Sequence, residues 1–214
     1  MDMQYSFKMM MSNDIQVKVV IIGNSGVGKS CIISQFAFNM FDQQSSPSLG
    51  TLCISKVLEF EKYGKKVNYQ LWDTAGQEEF KSMVAIYYKS AKAFIVAYSV
   101  DNRKSFEAVN GWIKEVREKA PIDAKLFIVA NKSDLVEKQQ VSVEEGKELA
   151  DSYNSSFHVT SAKLNIGIEE LFVDIALKLN IIGVKGSKAN CKTSMKNGAV
   201  KLKGDRSHNN QNCC

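Results

Sequence analysis

No stretch of this sequence is apolar enough or long enough to span a bilayer. Proline is scarce: there are two in 214 residues, and one of them, Pro47, lies in a polar loop at 42–50. The five cysteines (Cys31, Cys53, Cys191, Cys213 and Cys214) are odd in number and spaced for neither a zinc site nor a disulfide framework, so reduced thiols are expected. No internal repeat is visible. Asp2 and Lys8 interrupt the scattered apolar residues at the start, which argues against a secretory leader. Residues 1–12 read as a flexible extension, with Met11 as an alternative start. The net charge of +5 belongs to one end. From Gly183 onward there are six Lys, one Arg and one Asp, a charge of +6, which leaves −1 for residues 1–182. A nucleic-acid surface is therefore not expected on the folded part.

The chain has the length for one domain with a proper core. An apolar run at 17–22 ends at Gly23, as a buried parallel strand does. Residues 29–38 read as a helix, and the segments 53–61 and 66–72 flank Tyr63-Gly64-Lys65 as a hairpin. Two more strand-length runs lie at 93–99 and 125–131. Between them, 105–119 has helical spacing, with Phe106, Val109, Ile113 and Val116 on one face. Ser142-Val143-Glu144-Glu145 fits a capping box that opens a helix running to Tyr153. A short strand at 157–160 precedes a final amphipathic helix through Ile168, Leu171, Phe172, Ile175 and Leu179. This alternation predicts an α/β fold. Its sheet has six strands, mostly parallel with one antiparallel strand, and about five helices flank it. The expected domain spans 13–182, and 183–214 read as a disordered basic tail.

Four loops at strand ends carry the chemistry, where ligands of such sheets sit. Gly23-Asn24-Ser25-Gly26-Val27-Gly28-Lys29-Ser30 matches the P-loop pattern within a strand–loop–helix context. Its glycines aim backbone N–H groups at phosphate oxygens, and the following helix adds its positive end. Lys29 is a point charge for the outer phosphates, and Ser30 offers a hydroxyl to magnesium. Asp73-Thr74-Ala75-Gly76-Gln77 follows a second strand. There Asp73 is placed for magnesium, the Gly76 N–H for a γ-phosphate, and Gln77 to orient an attacking water. Asn131-Lys132-Ser133-Asp134 decides the base. The Asp134 carboxylate accepts from guanine N1–H and its exocyclic amine, whereas adenine leaves it unpaired, a discrimination of about 10⁴. Ser161-Ala162-Lys163 completes the pocket, with the Ala162 N–H toward guanine O6. Taken singly, such strings also arise as turns and helix caps.

With these motifs in place, residues 13–182 resemble a Ras-superfamily small GTPase and, within it, the Rab family. The Rab likeness rests on Leu71-Trp72-Asp73-Thr74-Ala75-Gly76-Gln77-Glu78, on Tyr87-Tyr88 and on the terminal Cys213-Cys214. The resemblance implies a switch in vesicle traffic that binds and slowly hydrolyses GTP. It puts Cys31 beside the phosphates, Phe41 edge-on to the guanine, and Ser48 where most members carry a Thr that ligates magnesium. It implies Mg²⁺ and GTP or GDP as ligands. The implied partners are an exchange factor, an activating protein, effectors, a Rab escort protein, a geranylgeranyl transferase and a GDP-dissociation inhibitor. The implied state is a monomer on the cytosolic face of endomembranes, with a cytosolic pool. Residues 81–88 resemble the endosomal Rab group. Departures from the pattern are Ser48, Thr51-Leu52-Cys53 for the usual Val-Asp-Phe, Glu79 for Arg and Ser99 for Asp. The serine keeps its hydroxyl but lacks the methyl that restricts χ1, which implies a weaker hold on the closed switch.

Cys213-Cys214 resembles the double-prenyl acceptor of Rab proteins and does not fit a C-a-a-X ending. The six tail lysines read equally as a membrane-attracted segment or as a plain solubilising one. Cys191 reads as idle or palmitoylated. Two further readings stand beside the switch: a module that stays loaded and hardly cycles, suggested by Ser48 and the altered 51–53 stretch, and an ATP-using P-loop enzyme, which Asp134 disfavours.

Overall fold

The computed structural model describes residues 14–42, 52–74 and 87–183. The sheet contains β1 (Ile15–Ile22), β2 (Leu52–Phe60), β3 (Lys65–Asp73), β4 (Ala93–Ser99), β5 (Lys125–Asn131) and β6 (Ser156–Val159). Its spatial order is β2-β3-β1-β4-β5-β6. The β2–β3 pair is antiparallel, and every other neighbouring pair is parallel. The α-helices are α1 (Lys29–Phe38), α2 (Arg103–Glu107), α3 (Val109–Lys119), α4 (Val143–Ser152) and α5 (Ile168–Lys178). The expected α/β architecture is therefore present. The β2–β3 connection is a short 3-10 turn, Glu61–Tyr63, closed by Gly64 at φ 59°.

Alternation along each strand sends successive side chains to opposite faces, and here both faces are covered. Val17, Val19 and Ile21 of β1 join Tyr69, Leu71, Ile95 and Val129 beneath α1 and α5. Val20 and Ile22 join Phe94, Val96, Tyr98 and Ile128 beneath α3 and α4. That is why these strands read as continuous apolar runs. Phe172 stacks on Phe36 with ring centroids 3.6 Å apart, and its carbonyl accepts from Tyr69 Oη at 2.7 Å, so α1, α5 and β3 meet at one point.

The segment expected as one helix from Ser105 begins two residues earlier. The Asn102 side chain accepts from the Ser105 N–H at 3.1 Å and caps it, and the helix is interrupted once, at Ala108. The capping box opening α4 is present, with Ser142 and Glu145 bonding reciprocally. The parallel register aligns the carboxyl ends of the central strands: Ile21 lies opposite Asp73, and Ser99 opposite Asn131. Three of the expected motif loops, and Asp73-Thr74 at the start of the fourth, leave the sheet along this edge.

Candidate functional site

The loop between β1 and α1 turns through three glycines with positive φ: Gly23 at 139°, Gly26 at 78° and Gly28 at 96°. Two of them are also points of close approach. A Cβ on Gly23 would lie 2.2 Å from the Ala97 carbonyl oxygen of β4, and one on Gly28 would lie 2.4 Å from Asn131 Nδ2. The first turn of α1 carries no acidic residue of its own, and its positive end faces the loop. Ser25 and Gly26 are exposed and Val27 is buried. Lys29 is only 6% exposed, and its Nζ donates to the carbonyls of Gly23 and Asn24, both at 3.0 Å. Burial lowers its pKa to about 8, while nearby Asp73 opposes the shift.

Asp73, the last residue of β3, is 4% exposed. Its Oδ2 accepts from Ser30 Oγ at 2.5 Å, so the hydroxyl and carboxylate expected at magnesium already converge. Both are hard oxygen donors of the kind magnesium takes, and the pair fits such an ion. Thr74 turns inward, its Oγ1 donating to the Ile21 carbonyl at 2.8 Å, which ties the end of β3 to β1.

The loops after β5 and β6 are joined through Asn131. Its Nδ2 donates to the Val27 carbonyl at 2.9 Å. Its Oδ1 accepts from Thr160 Oγ1 at 3.1 Å and from the Ala162 N–H at 3.3 Å. One amide thus ties the P-loop to the loops after β5 and β6. Lys132 holds a left-handed backbone at φ 64°, an uncommon conformation for this residue type. Asp134 Oδ1 accepts from Ser161 Oγ at 2.6 Å, and that hydroxyl also accepts from the Leu164 N–H at 3.1 Å. Lys163 is exposed and Ala162 buried. Asn39, the left-handed cap of α1, accepts from Asn165 Nδ2 at 3.0 Å, which brings the chain leading to Phe41 beside the β6–α5 loop.

The structure therefore brings together Ser25 to Cys31, Asp73, Asn131, Lys132, Asp134 and Ser161 to Lys163. Ser48, Gly76, Gln77, Cys213 and Cys214 lie outside the described residues. Two residues outside the expected site set make contacts with it. Thr160 orients Asn131, and Trp112 Nε1 on α3 donates to Asn24 Oδ1 in the P-loop at 2.8 Å. The signal for Trp112 is its place three residues after Val109 on the apolar face. The serine at the position usual for Asp has a local compensation, since Ser99 Oγ donates to the Asp101 carboxylate.

This sheet order and clasped P-loop are those of a guanine-nucleotide switch domain. The Ras family model matches residues 18–181, and the chain belongs to that family. Among its relatives, the Ras-related protein Rab-8 of Diplobatis ommata is 39% identical over 171 residues, covering 78% of this chain and 80% of that protein. Rab-8A of Bos taurus is 39% identical over 164 residues, covering 76% and 78% respectively. Rab-8B of Homo sapiens is 38% identical over 171 residues, covering 78% and 82%. The chain is a Rab-like small GTPase of vesicle trafficking, a GTP hydrolase. Its family binds GTP and GDP, typically with Mg²⁺, acts through regulators and effectors, and associates with membranes.

Proposed function

We propose that this chain is a timed switch whose two states differ by one phosphate. The observation that carries the reading is the Asn131 clasp, which joins the phosphate loop to both base loops as one pocket. The N–H groups of Ser25, Gly26, Val27, Gly28 and Lys29, with Ser30 and Cys31 in the first turn of α1, receive the phosphates. Phe41, Asn131, Lys132, Asp134, Ser161, Ala162 and Lys163 hold the guanine. Ser30, Ser48 and Asp73 would hold magnesium, which when bound neutralises charge on the phosphate oxygens.

Gln77 orients the attacking water, and the backbones of Ser48 and Gly76 sense the γ-phosphate. Loss of that phosphate removes both anchors and releases the two loops. The two arginines of residues 13–182, Arg103 and Arg117, are engaged with Glu145 and the Tyr153 carbonyl, and turnover without an activating protein is expected near that of Ras, on the order of 10⁻⁴ s⁻¹. An exchange factor reloads the pocket. An escort protein and a geranylgeranyl transferase lipidate Cys213 and Cys214, and a GDP-dissociation inhibitor shields the lipids in the cytosol. The working location is the cytosolic face of endomembranes, with endosomes the first to examine.

Competition of a fluorescent GDP analogue by GTP, GDP and ATP tests the pocket. Displacement by the two guanine nucleotides at stoichiometric levels, with ATP ineffective at a thousandfold excess, is expected. Displacement by ATP at comparable levels would overturn the reading of Asp134.

A further inference from the structure

Among the described residues, side chains from elsewhere in the fold reach the P-loop at Ser30, through Asp73, and at two points of its turn, Val27 and Asn24. At Val27 the grip comes from Asn131, which already belongs to the base pocket. At Asn24 it comes from α3. The indole N–H of Trp112 donates to Asn24 Oδ1 at 2.8 Å across 88 residues of sequence. The backbone carbonyl of the same Asn24 accepts from Lys29 Nζ at 3.0 Å.

An ammonium has three donors. The carbonyls of Gly23 and Asn24 take two of them, so those two carbonyls decide where the third points. The Asn24 peptide sits in a loop of glycines, where rotation is cheap. Fixing the Asn24 side chain at its far end resists that rotation. Trp112 is itself well fixed: it is 8% exposed and belongs to the same buried cluster as Val109, Ile113 and Val116. Packing alone would be served by any large ring, whereas the N–H reaches a polar partner in the phosphate loop.

We propose that Trp112 is a positioning residue for nucleotide phosphate, acting through the Asn24 side chain on the carbonyl that aims Lys29. This rests on the nucleotide-binding reading above, and it requires no contact between Trp112 and the nucleotide.

The test is a double-mutant cycle on the full chain loaded with a fluorescent GDP analogue and magnesium. Trp112→Phe keeps the ring and loses the donor, and Asn24→Ala removes the acceptor. Each is expected to speed nucleotide release about 2- to 10-fold, the range for one neutral hydrogen bond. The double variant is expected to match the single ones. Multiplicative effects, or an unchanged rate in Trp112→Phe, would overturn the proposal.

A second readout does not depend on Trp112→Phe folding. The chain has two tryptophans, so the ¹⁵N-labelled protein gives two indole N–H signals, and Trp72→Phe assigns them. Asn24→Ala is expected to move the Trp112 signal upfield and leave that of Trp72 in place; an unmoved Trp112 signal would refute the bond. Failure of the wild type to bind any guanine nucleotide would overturn the pocket reading and this inference together. Wild-type binding with a multiplicative cycle would overturn the inference alone.

Discussion

The three P-loop glycines differ in what stands against them, and the difference decides what each substitution breaks. Among the described residues nothing stands within 4 Å of a Cβ at Gly26, so there Gly26→Ala meets the left-handed strain, about 1–2 kcal/mol. Gly23 abuts the main chain of β4, which is paired on both sides and has no room to withdraw. Gly23→Ala is expected to lose about 3 kcal/mol or more of stability. Gly28 abuts the tip of Asn131, which can swing aside only by releasing Val27. Gly28→Ala is therefore expected to keep the fold and lose nucleotide affinity. Thermal unfolding and GDP titration on the three variants separate these cases: stability should fall most for Gly23→Ala, and affinity relative to stability most for Gly28→Ala. Gln77 and Ser48 belong to this scale too. Single-turnover hydrolysis is expected to fall at least about tenfold in Gln77→Leu. Ser48→Thr is expected to slow release of GTP relative to GDP, because the added methyl restricts the side chain. An unchanged hydrolysis rate in Gln77→Leu would remove that residue from the mechanism.

At the scale of elements, α4 shows how one carboxylate serves two purposes. Glu145 Oε2 accepts from the Ser142 N–H at 3.0 Å, and Oε1 accepts from Arg103 at 2.5 Å, which joins the cap of α4 to the start of α2. The backbone bond from Ser142, and then Arg103, lower its pKa below the usual carboxylate value. A depressed folded pKa means stability that is present above the unfolded value and is lost as pH falls through the folded one. The stability gap between wild type and Glu145→Gln should thus be widest near neutrality and close on acidification below about pH 4. Ser142→Ala should cost about 1 kcal/mol at either pH. Urea unfolding at pH 7 and pH 3 distinguishes the two. This cap was legible in the sequence because both its residues lie within one turn. The strands were legible because burial on both faces leaves long apolar runs. The early start of α2 was less so, since Asn102 acts through a single side-chain bond. The four loops of the site could be read from local spacing. The bonds that hold them together could not: Asn131 to Val27, and Trp112 to Asn24, join residues 104 and 88 positions apart, and no local pattern encodes such a meeting.

At the scale of the whole molecule, charge and chemistry are divided. Residues 1–182 carry −1, while the last 32 carry +6 and end in two cysteines. No helix among the described residues is long and apolar enough to cross a membrane. For lipid on Cys213 and Cys214, one chain is marginal where two suffice. Each tail lysine adds about 1 kcal/mol near an anionic surface, and salt screens that contribution. The two sources are separable in the full chain expressed in cells. Cys213→Ser with Cys214→Ser should move the protein from the membrane pellet to the supernatant. Either single change should leave an intermediate, salt-sensitive fraction. Replacing Lys185, Lys188, Lys192, Lys196, Lys201 and Lys203 by Gln in the otherwise intact chain should leave pelleting at high salt unchanged. It should reduce pelleting onto anionic vesicles at low salt only if those lysines meet the surface. If the double cysteine variant still pellets at high salt, lipid on these residues is not the anchor. Equal low-salt binding with and without the lysines would leave them no part in membrane attachment.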